Sequence, residues 1–401
     1  MRLAILTTHP IQYQAPWFRA LARHPRLELE VLFCHRATPQ DQAAAGFGVP
    51  FDWDVPLLDG YPHRFLLNAA KRPGVTSFWG LDTPEIAGLV SRGQYDAVLV
   101  NGWHYKAAWQ AIAACWRTKT PLLVRGDSQL AAQSSPVKKV VKRLFYPRFI
   151  RRFDACLAVG ERSREYFLHY GARPERIFLV PHVVDAQRML DACSRLRARR
   201  PELRRRWGLA EEAVVFLFIG KFIEKKRPID FVVALTDAHR RNPRVAGLMV
   251  GDGPLRTLCE AFVREHRSPV VFAGFLNQSE IALAYLAADA IVLPSGSETW
   301  GIVVNEAMVC GRPAFVSDRV GCGPDLVLPG KTGAVYPFGD AAALARLILR
   351  YSENPSRLTE MGRAARARVL SRNSVDAAVQ GVVSALEAVG RPARGATPAM
   401  S

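Results

Sequence analysis

The sequence lacks the features that mark membrane-spanning, disulfide-stabilised and zinc-binding proteins. No apolar run in its 401 residues reaches the roughly 20 residues of a membrane-spanning helix. The first residues, MRLAILT, lack the apolar core and the cleavage site of a secretory signal. The seven cysteines are odd in number and include no C-x-x-C pair, so neither a disulfide framework nor a zinc site is predicted. We therefore expect a protein of the reducing cytoplasm.

Acidic residues are scarce relative to basic ones. The 36 Asp and Glu residues face 54 Lys and Arg residues, which leaves a formal net charge of +18. Residues 137–153 hold seven basic residues and no acid, and residues 195–206 hold seven more with one Glu. Both stretches fit either solvated helix faces or contact with an anionic partner such as a membrane surface, nucleic acid or a polyanionic substrate.

Aromatic residues in the stretch 137–153 help to choose between these partners. They are Phe145, Tyr146, Phe149 and Phe153. Such residues favour a helix at an anionic membrane surface over a nucleic-acid groove, so no nucleic-acid partner is expected. They are equally compatible with the core face of the same helix.

Hydrophobic strand patterns alternate with amphipathic helical segments along the whole chain, whose length predicts two domains. The predicted strands are 2–7, 27–33, 96–101, 120–125, 154–159, 176–181, 214–219, 245–250, 270–273, 290–293 and 313–317. This alternation predicts an α/β fold with two parallel, doubly wound sheets that face a central cleft. The first domain is predicted in residues 1–190 and the second in residues 191–373.

Two glutamates stand out in the stretch 290–312. A short buried strand leads into a Pro/Gly/Ser turn, then Glu298, and then a predicted helix that carries Glu306. No Lys or Arg occurs from Ala290 to Gly311, so neither carboxylate has a charge partner nearby in sequence. Carboxylates beside a helix N-terminus suit a ligand with hydroxyls and phosphates. The alternative is one helix-capping acid and one surface glutamate.

The spacing of these glutamates carries a family resemblance. The pattern P-S-x-x-E-T-W-G-x-x-x-x-E-A-M resembles the double-glutamate signature of retaining nucleotide-sugar glycosyltransferases of family 4 (glycosyltransferase group 1, GT-B fold). The resemblance is dense over residues 215–345, where it includes GKFIEKKRP, VGDGPLR and GKTGAVYPFGD. It implies two Rossmann-like domains and a helix at 374–390 that crosses back to the first domain. Composition predicts a disordered tail at 391–401.

The resemblance implies a donor site in the second domain. Glu306 would bind the ribose diol and Glu298 the hydroxyls of the transferred sugar. Lys221 and Lys226 would neutralise the diphosphate, although Lys221 replaces the Arg of relatives and loses its bidentate geometry. The other implied donor contacts are Gly220, Gly251, Gly253, Phe275, Thr299, Trp300, Gly301 and Ile302.

Acceptor contacts are expected from the first domain. His104 follows a strand end and, by resemblance, lies near the transferred sugar; the alternative is a structural histidine. The remaining acceptor-side predictions are His9, Gln12, Tyr13, Arg125 and Asp127. Residues 36–84 form a long irregular stretch, in which Asp52 and Asp54 imitate a metal-binding D-x-D motif. Because FDWDVP predicts an alternating strand, we expect no metal there.

The implied activity is sugar transfer from a nucleotide-diphosphate sugar to an acceptor hydroxyl, with retention and without metal or cofactor. The acceptor would be a saccharide, a lipid-linked molecule or a small molecule in glycan, glycolipid or glycosylated-metabolite biosynthesis. Residues 137–153 would place the protein at the inner membrane face. Two alternatives stay open: a nucleotide-sugar epimerase of the same fold, and a non-catalytic sugar- or membrane-binding descendant. An NAD-dependent enzyme is disfavoured because no strand leads into a full G-x-G-x-x-G.

Overall fold

The computed structural model describes residues 1–93, 95–131 and 136–390. The predicted disordered tail, 391–401, lies outside the described residues. Two parallel β-sheets with helices packed on both faces make up the fold, so the predicted α/β class is confirmed. In the part of the chain that is described, no helix combines the length and the apolar character that crossing a bilayer requires.

The first sheet is built from residues before position 180, and each of its neighbouring strand pairs is parallel. The strands are β1 Arg2–Thr7, β2 Glu28–Phe33, β3 His63–Phe65, β4 Ala97–Asn101, β5 Leu122–Gly126, β6 Ala155–Ala158 and β7 Ile177–Leu179. Their spatial order is β3-β2-β1-β4-β5-β6-β7. The helices of this half are α1 Ala15–Ala22, α2 Pro39–Gln42, α3 Glu85–Ser91, α4 Lys106–Thr118, α5 Pro136–Ile150 and α6 Glu161–His169.

The second sheet is also parallel throughout, in the order β10-β9-β8-β11-β12-β13. Its strands are β8 Val214–Ile219, β9 Val245–Val250, β10 Val270–Gly274, β11 Ala290–Leu293, β12 Ala314–Ser317 and β13 Gly333–Tyr336. The helices are α7 Ala186–Leu196, α8 Arg200–Arg206, α9 Pro228–Arg241, α10 Arg256–His266, α11 Ile281–Ala287, α12 Ile302–Val309, α13 Gly323–Leu326, α14 Ala341–Ser352, α15 Pro355–Arg372 and α16 Val375–Val389. Short 3₁₀ turns occur at Phe78–Gly80, Pro174–Arg176, Arg197–Arg199 and Glu224–Lys226.

The last helix, α16, packs on the first sheet, as predicted. Four of its side chains are buried in the cluster that also holds Leu3 and Ile5 of β1: Ala378, Val382, Ala385 and Leu386. At the helix end, Glu387 forms an ion pair of 2.6 Å with Arg26. The chain therefore completes the core of its first domain with its last described helix.

Several elements were not predicted, among them β3, β13, α3, α7 and α13, and one predicted strand is wrong. β3 and β13 are only three and four residues long, and α3 follows a Pro-rich stretch, so their sequence patterns are weak. Residues 51–56 (FDWDVP) form no strand. The segment contacts the second domain instead, through the Asp54 carboxylate, the Asp52 carbonyl and the Phe51 ring.

The basic stretch 195–206 is partly structural. The side chain of Arg204 is only 4% exposed and donates to the carbonyls of Ala287 and Ala213 at 3.0 and 2.8 Å. Both Arg204 and Arg200 pair with Asp289, whose carboxylate also accepts from the Val215 amide at 2.8 Å. Two of the seven basic residues thus fasten α8 to the second sheet and are not free for an anionic partner.

The two domains touch closely at Gly160. A Cβ at this position would clash with Cζ3 of Trp300 and lie 2.7 Å from Oδ2 of Asp325, both in the second domain. The Glu161 amide at the start of α6 donates to both carboxylate oxygens of Asp325, at 3.1 and 3.2 Å. Burial raises the pKa of Asp325 to about 6. The two domains can pack this closely because residue 160 is a glycine and has no side chain.

We expect Gly160→Ala to lower the free energy of unfolding by about 1–3 kcal/mol, because the added methyl must push Trp300 and Asp325 away. The matched control is Gly323→Ala, since a Cβ there meets nothing within 4 Å. Urea unfolding of both variants measures the difference. Equal midpoints for Gly160→Ala and the control would contradict the close contact.

Candidate active site

The candidate site lies in the cleft where the carboxyl ends of both sheets face each other. In the first domain, the loops after β1, β4 and β5 reach the cleft, and in the second domain the loops after β8, β9 and β11 do so. Parallel α/β sheets bind ligands at this edge. Two neighbouring cavities at this edge hold the predicted site residues described below, and Ile11 and Tyr13 line both.

The larger cavity has a volume of about 370 Å³ and walls from both domains. It brings together ten of the predicted site residues: His9, Gln12, Tyr13, Gly220, Lys221, Lys226, Gly251, Phe275, Ile302 and Glu306. Most of the residues predicted to contact the donor therefore line this one cavity. The opposite wall is the loop after β1, which was predicted to contact the acceptor.

Glu306 is buried in the wall of this cavity without a direct cation partner among the described residues. The Tyr285 hydroxyl donates to its Oε2 at 2.7 Å, and Gln278 Nε2 donates to its Oε1 at 3.3 Å. Burial raises the pKa of the Glu306 carboxyl, and these two hydrogen bonds oppose the rise. A carboxylate held in this way keeps lone pairs for further donors, such as two adjacent hydroxyls.

Glu298 gains a charge partner from a distant part of the chain. Its Oε2 forms an ion pair with Nζ of Lys226, and both side chains are less than one-fifth exposed. The Gly296 amide donates to the Lys225 carbonyl at 2.8 Å, which holds the two loops together. The stretch 290–311 contains no basic residue for Glu298, but the fold supplies one from another part of the chain.

Lys221 is covered by residues 37–54 of the first domain, which we call the strap. Its Nζ donates to the Ala45 carbonyl at 2.5 Å and lies 4.1 Å from the centre of the Phe47 ring. Burial, together with the charges of Lys225 and Lys226, lowers the pKa of Lys221 to about 8. The ammonium group predicted for phosphate is therefore held here by a backbone oxygen and an aromatic face.

The strap crosses the cleft and is fastened at its far end. The Phe51 ring lies 4.3 Å from the Phe275 ring, centre to centre, and Phe47 and Trp53 pack beside them. Asp54 accepts hydrogen bonds from the amide and hydroxyl of Ser279. The D-x-D motif thus serves contact between domains. Gly253 lies under the strap, where a Cβ on Gly48 would be 3.1 Å from the Gly253 nitrogen.

The turn before α12 presents backbone rather than side chains to the cleft. Gly301 has a φ of +103°, a left-handed conformation that suits glycine, and α12 begins at Ile302. The first amides of a helix lack intrahelical acceptors, and Ile302 and Val303 line the cavity. Trp300 points inward and donates from Nε1 to Asn305 Oδ1 at 2.8 Å, while Thr299 is exposed. Trp300 and Thr299 are therefore outside the cavity wall.

The first-domain loop after β1 supplies uncharged groups. Burial, and then the nearby His35, lowers the pKa of His9 to about 4, so its ring is neutral at pH 7. Burial raises the pKa of Tyr13 to about 12. The Gln12 Oε1 atom is buried and has no hydrogen-bond partner in the described structure. This loop offers hydrogen bonds but no positive charge.

The smaller cavity, of about 260 Å³, holds the other predicted acceptor residues, His104, Arg125 and Asp127. His104 stacks on Trp103 with ring centres 6.4 Å apart. Arg125 is 7% exposed and donates to the Val180 and Pro181 carbonyls. Burial lowers the pKa of Arg125 to about 10. Its guanidinium thus holds the chain segment that leads to the second domain.

That segment is a polar junction that sequence reasoning missed. His182 Nδ1 lies 3.3 Å from Arg125, and burial lowers the pKa of His182 well below its ordinary value, which keeps the ring neutral. The His182 carbonyl accepts from Asn305 and Asn373, each at 3.1 Å. Tyr285 and Gln278 were missed as well. No local sequence signal identifies these groups, because their partners are distant in the chain.

Family matches cover both halves of the chain. Residues 11–182 match the family described as glycosyl transferase 4-like domain, and residues 199–368 match the family described as glycosyl transferases group 1.

Relatives are similar over most of the chain. The GDP-mannose-dependent alpha-(1-6)-phosphatidylinositol monomannoside mannosyltransferase of Mycolicibacterium smegmatis is 33% identical over 305 residues, 71% of this chain and 76% of the relative. D-inositol 3-phosphate glycosyltransferase of Streptomyces bingchenggensis is 28% identical over 73% of this chain and 65% of the relative. Alpha-D-kanosaminyltransferase of Streptomyces kanamyceticus is 28% identical over 61% of this chain and 62% of the relative. The match thus spans less than two thirds of these last two relatives.

Solved structures share the fold. Anabaena HepE in complex with UDP and glucose has a TM-score of 0.70 and 19% identity over 96% of this chain and 99% of that chain. Sucrose-phosphate synthase from Thermosynechococcus elongatus has a TM-score of 0.69 and 19% identity over 96% of this chain and 98% of that chain. At these identities the likeness concerns the fold, and it confirms the predicted two-domain GT-B architecture.

We expect Glu306→Gln to stabilise the ligand-free protein at neutral pH more than at acid pH. The folded-state pKa of Glu306 lies above its ordinary 4.5. The contribution of the protonated Glu306 carboxyl to the free energy of unfolding is therefore fully present below about pH 4.5, and it is lost as pH rises through the folded pKa. The glutamine variant lacks this loss. Thermal unfolding from about pH 4.5 to 7.5 measures the difference in melting temperature. Glu265→Gln, at an exposed position, is the control. A difference that does not change with pH would contradict the expectation.

Proposed function

Because the chain belongs to the glycosyl transferases group 1 family, we propose that it moves a sugar from a nucleotide-diphosphate sugar to an acceptor hydroxyl. The observation that carries this proposal is the larger cavity. It gathers two lysines, a buried carboxylate with spare lone pairs and an open helix N-terminus, which together match a diphosphate and a ribose.

In this proposal the donor lies along the second-domain wall of the cavity. Glu306 accepts from the ribose hydroxyls, and Lys226 and the amides at the start of α12 bind the diphosphate. In the same proposal Glu298, which is paired with Lys226, binds hydroxyls of the transferred sugar. Lys221 joins the diphosphate only after its ammonium exchanges the Ala45 carbonyl for a phosphate oxygen. The strap therefore moves or loosens when donor binds.

Sugar transfer needs stabilisation of the leaving group. As the bond between the anomeric carbon and the diphosphate breaks, negative charge grows on the diphosphate, and the lysines and helix amides stabilise it by preorganised electrostatics. The acceptor hydroxyl forms its bond on the face that the diphosphate leaves, and its proton passes to the diphosphate. The product then retains the anomeric configuration. The positive charge comes from protein groups, so the proposal includes no metal.

We expect a thermal-shift panel of UDP, GDP, ADP and their sugar conjugates to reveal one preferred base, because a ligand that binds the folded state raises its melting temperature. Glu306→Ala should abolish the shift. Lys226→Ala should lower kcat/KM by about 10²–10³-fold, through lost charge stabilisation. Lys225→Ala, the exposed neighbour, is the matched control and should change it by less than about 2-fold.

Other outcomes of this experiment identify the alternatives. Conversion of the nucleotide sugar without acceptor, to a second nucleotide sugar, would indicate an epimerase. Binding of sugar or membrane with no nucleotide shift would indicate a non-catalytic descendant and overturn the proposal. An inverted anomeric centre in the product, read by NMR, would refute retention alone.

The proposal also places α5 on an anionic membrane surface. Phe149 and Phe153 are buried, so part of the aromatic set belongs to the core. A second set of apolar side chains on α5 is exposed: Val140, Val141, Leu144 and Phe145, with Leu144 at 67%. These alternate with basic residues, and an apolar stripe flanked by positive charge is the chemistry that binds anionic lipid.

We expect the protein to co-sediment with phosphatidylserine vesicles at low salt and to bind phosphatidylcholine vesicles weakly. Leu144→Ser should reduce the bound fraction by at least about 3-fold, because burying one leucine contributes about 1.5–3 kcal/mol. Leu258→Ser, at a similarly exposed position on α10, is the control. Absence of binding at low salt, or equal losses for both variants, would remove the membrane from the proposal.

A further inference from the structure

The amide of Gln278, which donates to Glu306, is itself held by an arginine of α7. Arg188 donates from Nη1 to the Gln278 carbonyl and from Nη2 to its Oε1 atom, both at 2.6 Å. The two bonds use two separate nitrogens of one planar guanidinium, a geometry that a lysine ammonium does not offer. Arg188 therefore fixes the backbone and the side chain of Gln278 together.

These bonds decide which end of the Gln278 amide meets Glu306. Because Oε1 accepts from Arg188, Nε2 is left to donate to Glu306 Oε1, at 3.3 Å. A reversed amide would set its oxygen against a carboxylate oxygen and its NH₂ group against the guanidinium, so both hydrogen bonds would be lost. Gln278 is only 7% exposed, and buried groups without partners are costly. The arginine thus selects one orientation of the amide.

The start of α7 places Arg188, directly after the chain has passed between the domains. Asp185 caps this helix by accepting from the Arg188 amide at 3.1 Å, and its Oδ2 atom lies 4.0 Å from Nε of Arg188. The Arg188 side chain is 30% exposed and lines a third cavity, of about 240 Å³, together with Gln278 and Glu306. The orientation of the amide therefore depends on where α7 begins.

Arg188 also supplies positive charge at a distance from Glu306. Burial raises the pKa of the Glu306 carboxyl, and the hydrogen bonds from Tyr285 and Gln278, and then the charge of Arg188, oppose the rise. Loss of the arginine would remove this charge and release the amide. Both changes favour a protonated carboxyl, which has fewer lone pairs for hydroxyl donors.

We propose that Arg188 is a positioning residue for the donor, which acts through Gln278 to align the Glu306 carboxylate with both ribose hydroxyls. The wall of the larger cavity, as the described residues form it, includes Gln278 and Glu306 but not Arg188, so the arginine works from behind the wall. This inference rests on the proposed function, in which Glu306 binds the ribose diol. It adds the group on which recognition of the ribose depends.

Recognition of the ribose can be measured apart from the rest of donor binding. The probes are the nucleoside diphosphate that the thermal-shift panel selects from UDP, GDP and ADP, and its 2′,3′-dideoxy form. Calorimetry gives the Kd of each. Wild type should bind the ribose form at least about 10-fold more tightly, because hydrogen bonds to a charged group are strong.

Arg188→Ala should reduce this preference to less than about 3-fold and leave the Kd of the dideoxy form within about 2-fold of wild type. Arg188→Lys, which keeps the charge but not the planar fork, should lose the preference as well and serves where the alanine variant does not fold. The matched control is Arg195→Ala, which removes the same charge from an exposed position on α7 and should keep the preference.

A second set of measurements tests the route through Gln278. Gln278→Met keeps the length of the side chain without an amide and should lose the preference. Combined with Arg188→Ala, it should cause less than about 2-fold further loss, because both changes break one chain of contacts. Guanidinium chloride at about 10 mM, far below the molar range that unfolds proteins, should enter the third cavity and restore the preference in Arg188→Ala but not in Gln278→Met. Ammonium chloride should restore neither.

The outcomes separate this inference from the proposed function. If wild type binds none of the three nucleotides, the proposed function itself fails. If wild type binds the ribose and dideoxy forms equally, the assignment of Glu306 to the ribose is wrong and this inference falls with it.

Three results would overturn the positioning role alone. The first is a ribose preference that persists in Arg188→Ala. The second is an equal loss of both forms in that variant, which would indicate a general disturbance of the cleft. The third is a double variant in which the losses of Arg188→Ala and Gln278→Met multiply, because the arginine would then act by another route.

Discussion

The passage of the chain between its two domains is the constraint on which the cleft depends. The His182 carbonyl accepts from Asn305 and Asn373, and Arg125 holds the two carbonyls before it. These bonds fix the first sheet relative to α12, the helix that carries Glu306. Since the larger cavity is bounded by loops from both sheets, a shift of this junction would change the distances across it.

Charges in the cleft are stabilised in three different ways. Glu306 is buried and held by two neutral donors, Glu298 is paired with Lys226, and Lys221 is covered by the strap. A carboxylate held by neutral donors keeps a raised pKa and binds hydroxyls, whereas a paired one is ready to exchange partners with a charged ligand. The arrangement therefore separates a fixed part of the site from parts that rearrange.

Repeated local patterns explain what the sequence could predict. Strands such as β8, VVFLFI, are apolar throughout because helices cover both faces, and the spacing of Glu298 and Glu306 reflects one turn and one helix. The strap and the role of Arg125 could not be predicted. Each depends on a partner that only the folded chain defines; Lys226 and Glu298 are 72 residues apart.

The position of α16 has a consequence for how the protein is made. The core of the first domain includes side chains from residues 378–386, so a nascent chain has an exposed apolar groove on that domain until this helix has left the ribosome. The second domain lies between the two parts and can close its own core earlier. The second domain can thus become native first, although it follows the first domain in the sequence.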